Sequence, residues 1–334
     1  MTKISVLGCG TWGSALAQSL AMHNHNVTIW HYNKKKLQKI KNDRTHQNLP
    51  NFVFDSSISF VDDLENAVKD SDLIVVATPS KSVREISNSL RKYISKNQII
   101  VNTSKGLERK TFKRMSEIII EEIETIDSNN IVTLYGPSHA EEVIKKYPTT
   151  LVAASLNLES SRKVQKTFSS KTIRVYTNSD IVGVELGGSL KNVIAIGVGM
   201  CDGVGFGDNT KSALITRGMI EIIRLGTAMG ARKETFSGLS GIGDLIATCL
   251  SKHSRNRFVG ESLGKGKKLE DIIASMNMVA EGVETAKSIE KLSKIYNIDM
   301  PISNAVCSIL FENKDPKSMV VNLMTRDLGN ELSN

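Results

Sequence analysis

The sequence predicts an α/β fold in which a mostly parallel sheet, covered by helices on both faces, precedes an all-α C-terminal domain. Two observations support it. Short apolar runs alternate with helical patterns as far as Asn178, and beyond that residue the strand signals largely stop, leaving helices interrupted by glycine loops. With 334 residues, the chain is long enough for two domains of ordinary size. We therefore predict one domain over residues 1–178 and a second over residues 179–334.

The first predicted strand, Lys3–Leu7, leads directly into a glycine-rich turn that reads Gly8-Cys9-Gly10-Thr11-Trp12-Gly13. A helical pattern over Ala15–Met22 and a strand over Val27–Trp30 complete a βαβ unit. In this context a GxGxxG sequence is typical of Rossmann-type domains, in which Gly8, Gly10 and Gly13 let the backbone approach the pyrophosphate of a dinucleotide. The alternative is a purely structural glycine turn.

The residues after Trp30 bear on which dinucleotide is bound. NAD-binding domains of this type usually carry an acidic residue about 20 residues after the glycines, where it binds the ribose 2′-hydroxyl. Here the chain reads His31-Tyr32-Asn33-Lys34-Lys35-Lys36, without a carboxylate. The sequence therefore predicts that NADPH is accepted, and preferred over NADH.

Further strands are predicted at five apolar runs: Leu73–Ala77, Gln98–Val101, Ile131–Leu134, Thr150–Ala154 and Ile173–Tyr176, the last ones as an antiparallel extension. Helical patterns at Val83–Leu90 and Phe112–Glu124 separate the earlier runs. Polar residues follow the strand ends, where α/β sheets bind ligands. Among them Lys105 could bind an anionic substrate or contact the nicotinamide, or be merely a solvated loop lysine.

The stretch Gly183–Met200 is apolar nearly all round, with Lys191 in its middle. We expect a buried helix, because the stretch looks too rich in glycine and too short in pure hydrocarbon to span a membrane. A buried ammonium is costly unless a partner or substrate compensates, so Lys191 is a candidate functional group. Gly187 and Gly188, one turn earlier, would clear this face for a ligand. The alternative is a lysine that extends to water from a helix end.

Two motifs of the second domain could assist Lys191. Asp244 follows a glycine turn and precedes an apolar helix, so it could cap that helix or pair with Lys191. The second motif, Ser254-Arg255-Asn256-Arg257, contains a hydroxyl, an amide and two guanidinium groups. These groups could bind a phosphate dianion. The alternative for this motif is a solvated basic turn.

The net charge of +8 is compatible with nucleic acid or with a small phosphorylated substrate. The basic runs lack the interleaved aromatic residues of single-strand binders, so we expect no nucleic-acid partner. The scattered cysteines (Cys9, Cys201, Cys249 and Cys307) form no ligand cluster, and no leader or integral membrane segment is recognised. We expect a reduced, metal-free, cytoplasmic protein whose six histidines lie on the surface.

Motifs along nearly the whole chain resemble those of the bacterial-type NAD(P)-dependent glycerol-3-phosphate dehydrogenases. They are GxGxWG at the start, SKGLE from Ser104, GPSHAEEV from Gly136, ELGGSLKNVIAI from Glu185, GDNTKSALITRG from Gly207, GLSGIGDL from Gly238, SRNR from Ser254 and AEGVETA from Ala280. The resemblance implies reversible reduction of dihydroxyacetone phosphate to sn-glycerol 3-phosphate, for glycerophospholipid synthesis. A homodimer is a further expectation for the assembly.

The resemblance assigns roles by motif. Lys191 becomes the general acid/base, its pKa lowered toward working pH by burial and by Lys105, with Asp244 orienting it. Residues expected around the substrate are Lys105, Gly136, Ser138, Lys191, Asp244, Ser254, Arg255 and Asn256. Residues expected around NADP(H) or NAD(H) are Gly8, Gly10, Thr11, Trp12, Gly13, His31, Tyr32, Lys105, Ala140, Arg255, Val279 and Glu281.

Two positions depart from the family pattern. Ser189 replaces a common alanine, and Asn48 stands where a tyrosine is frequent. The alternative functions are a related 3-hydroxy-acid or 6-phosphogluconate-type dehydrogenase, a non-catalytic NADP-binding sensor, and a nucleic-acid-binding protein.

Overall fold

The structure, a computed structural model, describes residues 1–276 and 278–331. The chain divides into two compact units. The first comprises Met1–Lys105 and Lys113–Val184, and the second comprises Gly106–Phe112 and Glu185–Asn334. The boundary predicted after residue 178 lies slightly earlier in the chain. The short segment after Lys105, which the sequence assigned to the first domain, belongs to the second unit.

Within the described residues, an eight-stranded sheet forms the centre of the first unit. A separate two-stranded hairpin is formed by the chain between the second and the fifth strand. The strands are β1 (Lys3–Leu7), β2 (Asn26–Trp30), β3 (Thr45–His46), β4 (Leu49–Val53), β5 (Ser59–Val61), β6 (Leu73–Val76), β7 (Ile99–Asn102), β8 (Ile131–Tyr135), β9 (Thr149–Ala154) and β10 (Ile173–Asn178). Strands β3 and β4 form the hairpin, and the sheet order is β10-β9-β8-β7-β6-β1-β2-β5.

Neighbouring strands are parallel except β8 and β9, which are antiparallel. The predicted antiparallel extension is therefore confirmed: β9 runs opposite to β8, and β10 runs parallel to β9. The central strands β6, β7 and β8 are buried at every residue, as expected where helices cover both faces of a parallel sheet. The order of the strands reverses at β1, because β2 and β5 are added on one side of it and β6, which is parallel to β1, on the other. This switch point between β1 and β6 is where such sheets bind ligands.

The helices of the first unit are α1 (Thr11–Ala21), α2 (Lys34–Asp43), α3 (Leu64–Val68), α4 (Val83–Leu90), α5 (Met115–Glu122), α6 (Ala140–Val143) and α7 (Leu158–Phe168). Helix α4 has the predicted bounds. The sequence reading did not find the β3–β4 hairpin, β5 or α7. The hairpin contains Pro50, and β5 has only three residues, so neither presents a strand pattern long enough to recognise.

The second unit is helical beyond Val184, as predicted. Its helices are α8 (Ile181–Val204), which begins in the first unit, then α9 (Asp208–Ala228), α10 (Asp244–Leu250), α11 (Arg255–Gly264), α12 (Leu269–Ser275), α13 (Glu281–Ile295), α14 (Pro301–Glu312) and α15 (Pro316–Met324). A kinked π-helical turn over Leu239–Gly243 precedes α10, with Gly241 outside helical geometry.

Helix α8 is the buried helix that the sequence predicts. The argument that it could not span a membrane was wrong, because its 24 residues and a mean hydropathy of 1.5 suffice by length and composition. What decides its place is burial: 94% of its most apolar window is buried inside the protein. It is therefore a core helix.

Helices α8 and α11 pack backbone against backbone through two glycine pairs. A Cβ atom on Gly199 would lie 2.1 Å from the Arg257 carbonyl oxygen, and one on Gly260 would lie 1.9 Å from the Ile196 carbonyl oxygen. Gly203 and Gly264, each four residues further on, are equally crowded against the opposite backbone. Because this contact admits no side chain, it fixes the motif at the start of α11 beside α8.

Candidate active site

The turn after β1 has the geometry that its glycines require. Gly8 has a φ of +117°, and a Cβ atom there would lie 2.6 Å from the Ala77 carbonyl oxygen. A Cβ atom on Gly13 would lie 2.2 Å from the Gly8 carbonyl oxygen. Both positions therefore accept only glycine, because any side chain would displace the backbone.

Gly10 differs, because no atom lies within 4 Å of where its Cβ would be. It is the N-cap of α1, which has no side-chain cap and no acidic residue in its first turn. Thr11, buried, and Trp12, partly buried, begin the helix. The helix N-terminus thus leaves N–H groups and a positive dipole end for an anion. These residues fit the pyrophosphate of a dinucleotide.

The residues after β2 form an ordered corner. The ring of His31 is buried, its Nδ1 accepts a hydrogen bond of 2.9 Å from the Asn33 amide, and it stacks on the exposed Tyr32 ring. Burial, with a smaller contribution from the charge of Lys36, lowers the pKa of His31 to about 4, so the ring is neutral at physiological pH. The prediction that every histidine lies on the surface was wrong for His31 and for His46, which is also buried.

Three predicted substrate residues of the first unit meet at one carbonyl oxygen. Lys105 Nζ donates to the Gly136 carbonyl at 3.2 Å, and Ser138 Oγ donates to the same oxygen at 3.0 Å. Gly136 has a φ of +141°, and a Cβ atom there would lie 2.8 Å from the Thr150 carbonyl oxygen. Ala140, predicted to border the cofactor, is the buried first residue of α6.

Tyr135 supports this group, and the sequence reading missed it. The Lys105 ammonium lies 5.5 Å from the centre of the Tyr135 ring, within cation–π range. The Tyr135 hydroxyl donates to the Ser104 carbonyl and accepts a 3.2 Å bond from the Asn102 amide. The residue is fully buried at the end of β8. An aromatic residue in an apolar strand is typical of a hydrophobic core, so the sequence offers no reason to assign it a functional contact.

In the second unit, Lys191 and Asp244 form an ion pair 3.1 Å long whose side chains are 4% and 3% exposed. Lys191 also donates to Thr248 Oγ1, which donates a 3.3 Å bond to Asp244 Oδ1. Asp244 is the first residue of α10, whose N-cap is Gly243. Of the two readings for Asp244, the structure therefore shows pairing with Lys191. Thr248, one helical turn after Asp244, was missed although that spacing places it on the same face.

The space beside Gly187 is not a ligand space. A Cβ atom there would lie 2.7 Å from the Ser240 carbonyl oxygen, so the backbone before α10 occupies it. The expectation that this glycine clears a face for a ligand was wrong. Its physical role is to let the turn that carries Asp244 approach α8 closely enough for the ion pair.

The two arginines of the Ser254–Arg257 motif have different environments. Arg257 binds Asp202 through Nε at 2.8 Å and Nη2 at 2.6 Å, so an acidic partner already occupies it. Arg255 is exposed, and its Nη1 donates a 3.3 Å bond to the Val279 carbonyl. Ser254 caps α11 by accepting a 3.2 Å bond from the Arg257 amide. Arg255 is therefore the guanidinium that can reach a ligand.

Asn256 connects three helices. It donates a 2.9 Å bond to Asn192 on α8 and accepts a 2.9 Å bond from the Gly282 amide on α13. Glu281, the first residue of α13, is partly buried beside this bond. The structure thus brings Arg255, Asn256, Val279 and Glu281 together at the starts of α11 and α13.

Residues 3–161 match the family described as NAD-dependent glycerol-3-phosphate dehydrogenase N-terminus, and residues 180–321 match the corresponding C-terminus. The chain belongs to the NAD-dependent glycerol-3-phosphate dehydrogenase family. It is 50% identical over 330 residues, 99% of each chain, to a glycerol-3-phosphate dehydrogenase (NAD(P)+) of Thermoanaerobacter sp. (strain X514). It is 49% identical over 332 residues to the same-named protein of Prosthecochloris aestuarii, covering 98% of this chain and 99% of that one.

A solved structure gives the same result. The crystal structure of the glycerol-3-phosphate dehydrogenase from Coxiella burnetii matches 97% of this chain and 99% of its own, with a TM-score of 0.93 and 33% identity. The Rossmann-type sheet and the helical second unit are therefore the fold of the NAD-dependent glycerol-3-phosphate dehydrogenase family.

Of the two positions expected to depart from the family pattern, Ser189 makes a contact through its side chain: its Oγ accepts a 2.9 Å bond from the Gly106 amide, which an alanine could not do. Asn48 donates a 3.2 Å bond to His46 Nδ1 through its backbone amide, which does not depend on the asparagine side chain.

Proposed function

We propose that the chain is an NAD(P)-dependent sn-glycerol-3-phosphate dehydrogenase that reversibly reduces dihydroxyacetone phosphate for glycerophospholipid synthesis. The observation that carries the proposal is the buried Lys191 ammonium, paired at 3.1 Å with Asp244. A lysine buried to this degree is costly for the fold and is expected where chemistry needs it.

The dinucleotide supplies the hydride that reduces the ketone carbon. Negative charge then develops on the carbonyl oxygen, and Lys191 donates a proton to it. The Asp244 carboxylate offsets part of the cost of burying the ammonium and, with Thr248, holds its direction. In the oxidation direction Lys191 accepts the hydroxyl proton. A positioned acid/base group of this kind contributes about 10²–10⁴-fold to the rate.

Arg255 is the proposed phosphate ligand, since Arg257 is bound to Asp202. Asn256 and Ser254 place Arg255 at the first turn of α11, where the helix dipole also favours an anion. On the first unit, Lys105, Gly136 and Ser138 are proposed to contact the substrate as well, since they converge at one carbonyl.

NADP(H) is the proposed preferred coenzyme. No acidic side chain occurs among residues 31–36, and α2 begins beside the buried His31. Lys36 is near enough to lower the pKa values of His31 and His46, so its positive charge acts on this corner. A comparison of kcat/KM for NADPH and NADH tests the preference, and a strong preference for NADH would contradict it.

The direct test follows NADPH absorbance with and without dihydroxyacetone phosphate. We expect oxidation only with this substrate, and none with 3-oxo acids of similar size. Oxidation with 3-oxo acids alone would favour a related hydroxy-acid dehydrogenase.

We further propose a cytoplasmic homodimer. Free, buried cysteines suit a reducing compartment. Apolar side chains exposed on α15, namely Val321 and Met324, suit a contact with a second copy. Sedimentation analysis of the purified chain, compared with a Val321→Lys/Met324→Lys variant, tests the dimer.

A further inference from the structure

His46 is a buried histidine that contacts the glycine turn after β1. It lies on β3 of the β3–β4 hairpin and is 4% exposed. Its Nε2 atom lies 3.1 Å from the carbonyl oxygen of Cys9, in the middle of the turn that follows β1. Its Nδ1 atom lies 3.2 Å from the amide nitrogen of Asn48. The hairpin is thus fastened to the glycine turn through one imidazole.

These two contacts determine the tautomer of the ring. The Asn48 amide can only donate, so Nδ1 accepts and carries no proton. The proton of the neutral ring is therefore on Nε2, which donates to the Cys9 carbonyl. Burial lowers the pKa of His46; the bond to Cys9 opposes this shift, and the charge of Lys36 adds to it. The ring is accordingly neutral at physiological pH.

Holding the Cys9 carbonyl also orients the next amide. In a trans peptide the carbonyl and the following N–H point in opposite directions, and the described residues contain no cis peptide. The bond from His46 therefore fixes the direction of the Gly10 N–H. The φ angle of Gly10 is one of the two torsion angles that turn this peptide, and a glycine with open space at its Cβ position would otherwise let it rotate at little cost.

We propose that His46 is a positioning residue for the coenzyme pyrophosphate: its Nε2–H holds the Cys9 carbonyl so that the Gly10 N–H faces the anion. The inference rests on the proposed function only in requiring that a dinucleotide binds at this turn. The glycine turn would then be pre-organised, so that less conformational entropy is lost when the coenzyme binds.

Equilibrium titration of NADPH fluorescence, without substrate, tests the proposal with the full-length enzyme. We expect His46→Leu to raise the Kd for NADPH on the order of tenfold, the effect of one hydrogen bond. His46→Gln, which keeps an N–H donor, should recover most of this loss. The exposed His23, on the turn after α1, provides the control, and His23→Leu should leave the Kd unchanged.

A second probe separates positioning from a general disturbance of the domain. Adenosine 2′-monophosphate lacks the pyrophosphate, so its Kd should be the same for His46→Leu and the unmodified enzyme. An equal loss for both probes, or a loss for His46→Gln as large as for His46→Leu, would overturn the proposal.

Nitrogen NMR of the unmodified enzyme gives a readout that does not depend on any variant folding. The imidazole of His46 should be protonated at Nε2, and a proton at Nδ1 instead would overturn the proposal. NADPH binding without reduction of dihydroxyacetone phosphate would overturn the proposed function but not the role of His46. No NADPH binding by the unmodified enzyme would overturn both.

Discussion

The Lys191 ammonium and the Asp244 carboxylate lie 3.1 Å apart, with almost no access to solvent. Each charge would be costly to bury alone, and their attraction offsets part of that cost. Removing either partner leaves the other uncompensated, at a cost of about 3–5 kcal/mol. With the acid/base role proposed for Lys191, the pair couples catalysis to stability, and experiments on it must measure both.

Lys191→Ala should lower kcat at least about 100-fold, because the developing oxyanion loses its proton donor. NADPH binding, measured by fluorescence, should remain. Lys191→Met combined with Asp244→Asn removes both charges and should recover unfolding free energy without recovering kcat. A kcat near that of the unmodified enzyme in either variant would refute the assignment.

Arg255→Ala and Arg257→Ala should have different effects although the residues are two apart. Arg255→Ala should cost about 2–4 kcal/mol in kcat/KM for dihydroxyacetone phosphate, mainly through KM. Arg257→Ala leaves the partly buried Asp202 with one fewer partner, so it should mainly lower the thermal midpoint. An unchanged KM for Arg255→Ala would count against its role in phosphate binding.

Gly260→Ala should destabilise the second unit by about 1–3 kcal/mol or more, because its Cβ would meet the Ile196 carbonyl oxygen at 1.9 Å. Gly329→Ala is the matched control, since no atom lies within 4 Å of its Cβ position. Denaturant unfolding measures both. Equal stability of the two variants would mean that α8 and α11 can separate without penalty.

Glu221 on α9 should make stability depend on pH. Its buried carboxylate accepts bonds from the Ile302 amide at 2.6 Å and the Ser303 amide at 3.0 Å, at the start of α14. Burial, the largest influence, raises its pKa from 4.5 to about 7. The folded state therefore binds the proton more tightly than the unfolded state. The resulting stability is present below pH 4.5 and lost as pH rises through about 7.

The measurement compares the unfolding free energies of the unmodified enzyme and Glu221→Gln at several pH values. Glutamine does not titrate, so the difference between the two should shift by about 3 kcal/mol against the unmodified enzyme between pH 4.5 and 7. Any fixed cost of glutamine beside Ser303 cancels in this comparison. A difference that does not vary with pH would show that the carboxyl group keeps one protonation state.

The sheet and the site were predictable to different degrees. Apolar runs located the parallel strands because burial on both faces makes each strand continuously hydrophobic. Lys191 was found because a single lysine in the middle of a mostly apolar helix is a local signal. Its pairing with Asp244 remained one of two readings, because separation in sequence does not determine contact. The crowding of Gly187 by Ser240 was misread for the same reason.

Other contacts left no recognisable trace in the sequence. Tyr135 looks like any core aromatic residue, and its role beside Lys105 depends on how the chain ends β8. The surface assignment failed for His46 because the β3–β4 hairpin that buries it has strands too short for pattern recognition. Arg255 and Arg257 became distinguishable only when the acidic partner of Arg257, Asp202, was located.

The reversed direction of β9 has a practical consequence. Because β9 runs antiparallel to β8, β9 ends beside the start of β8, at the end of the sheet opposite to the one that carries the glycine turn. The loop that follows carries Leu156, whose side chain is 62% exposed. A cysteine introduced there could carry a fluorescent dye, or the loop could accept a short affinity tag, and turnover should proceed undisturbed. The fold thus offers a handle for attaching the enzyme to a surface or following it in single-molecule work.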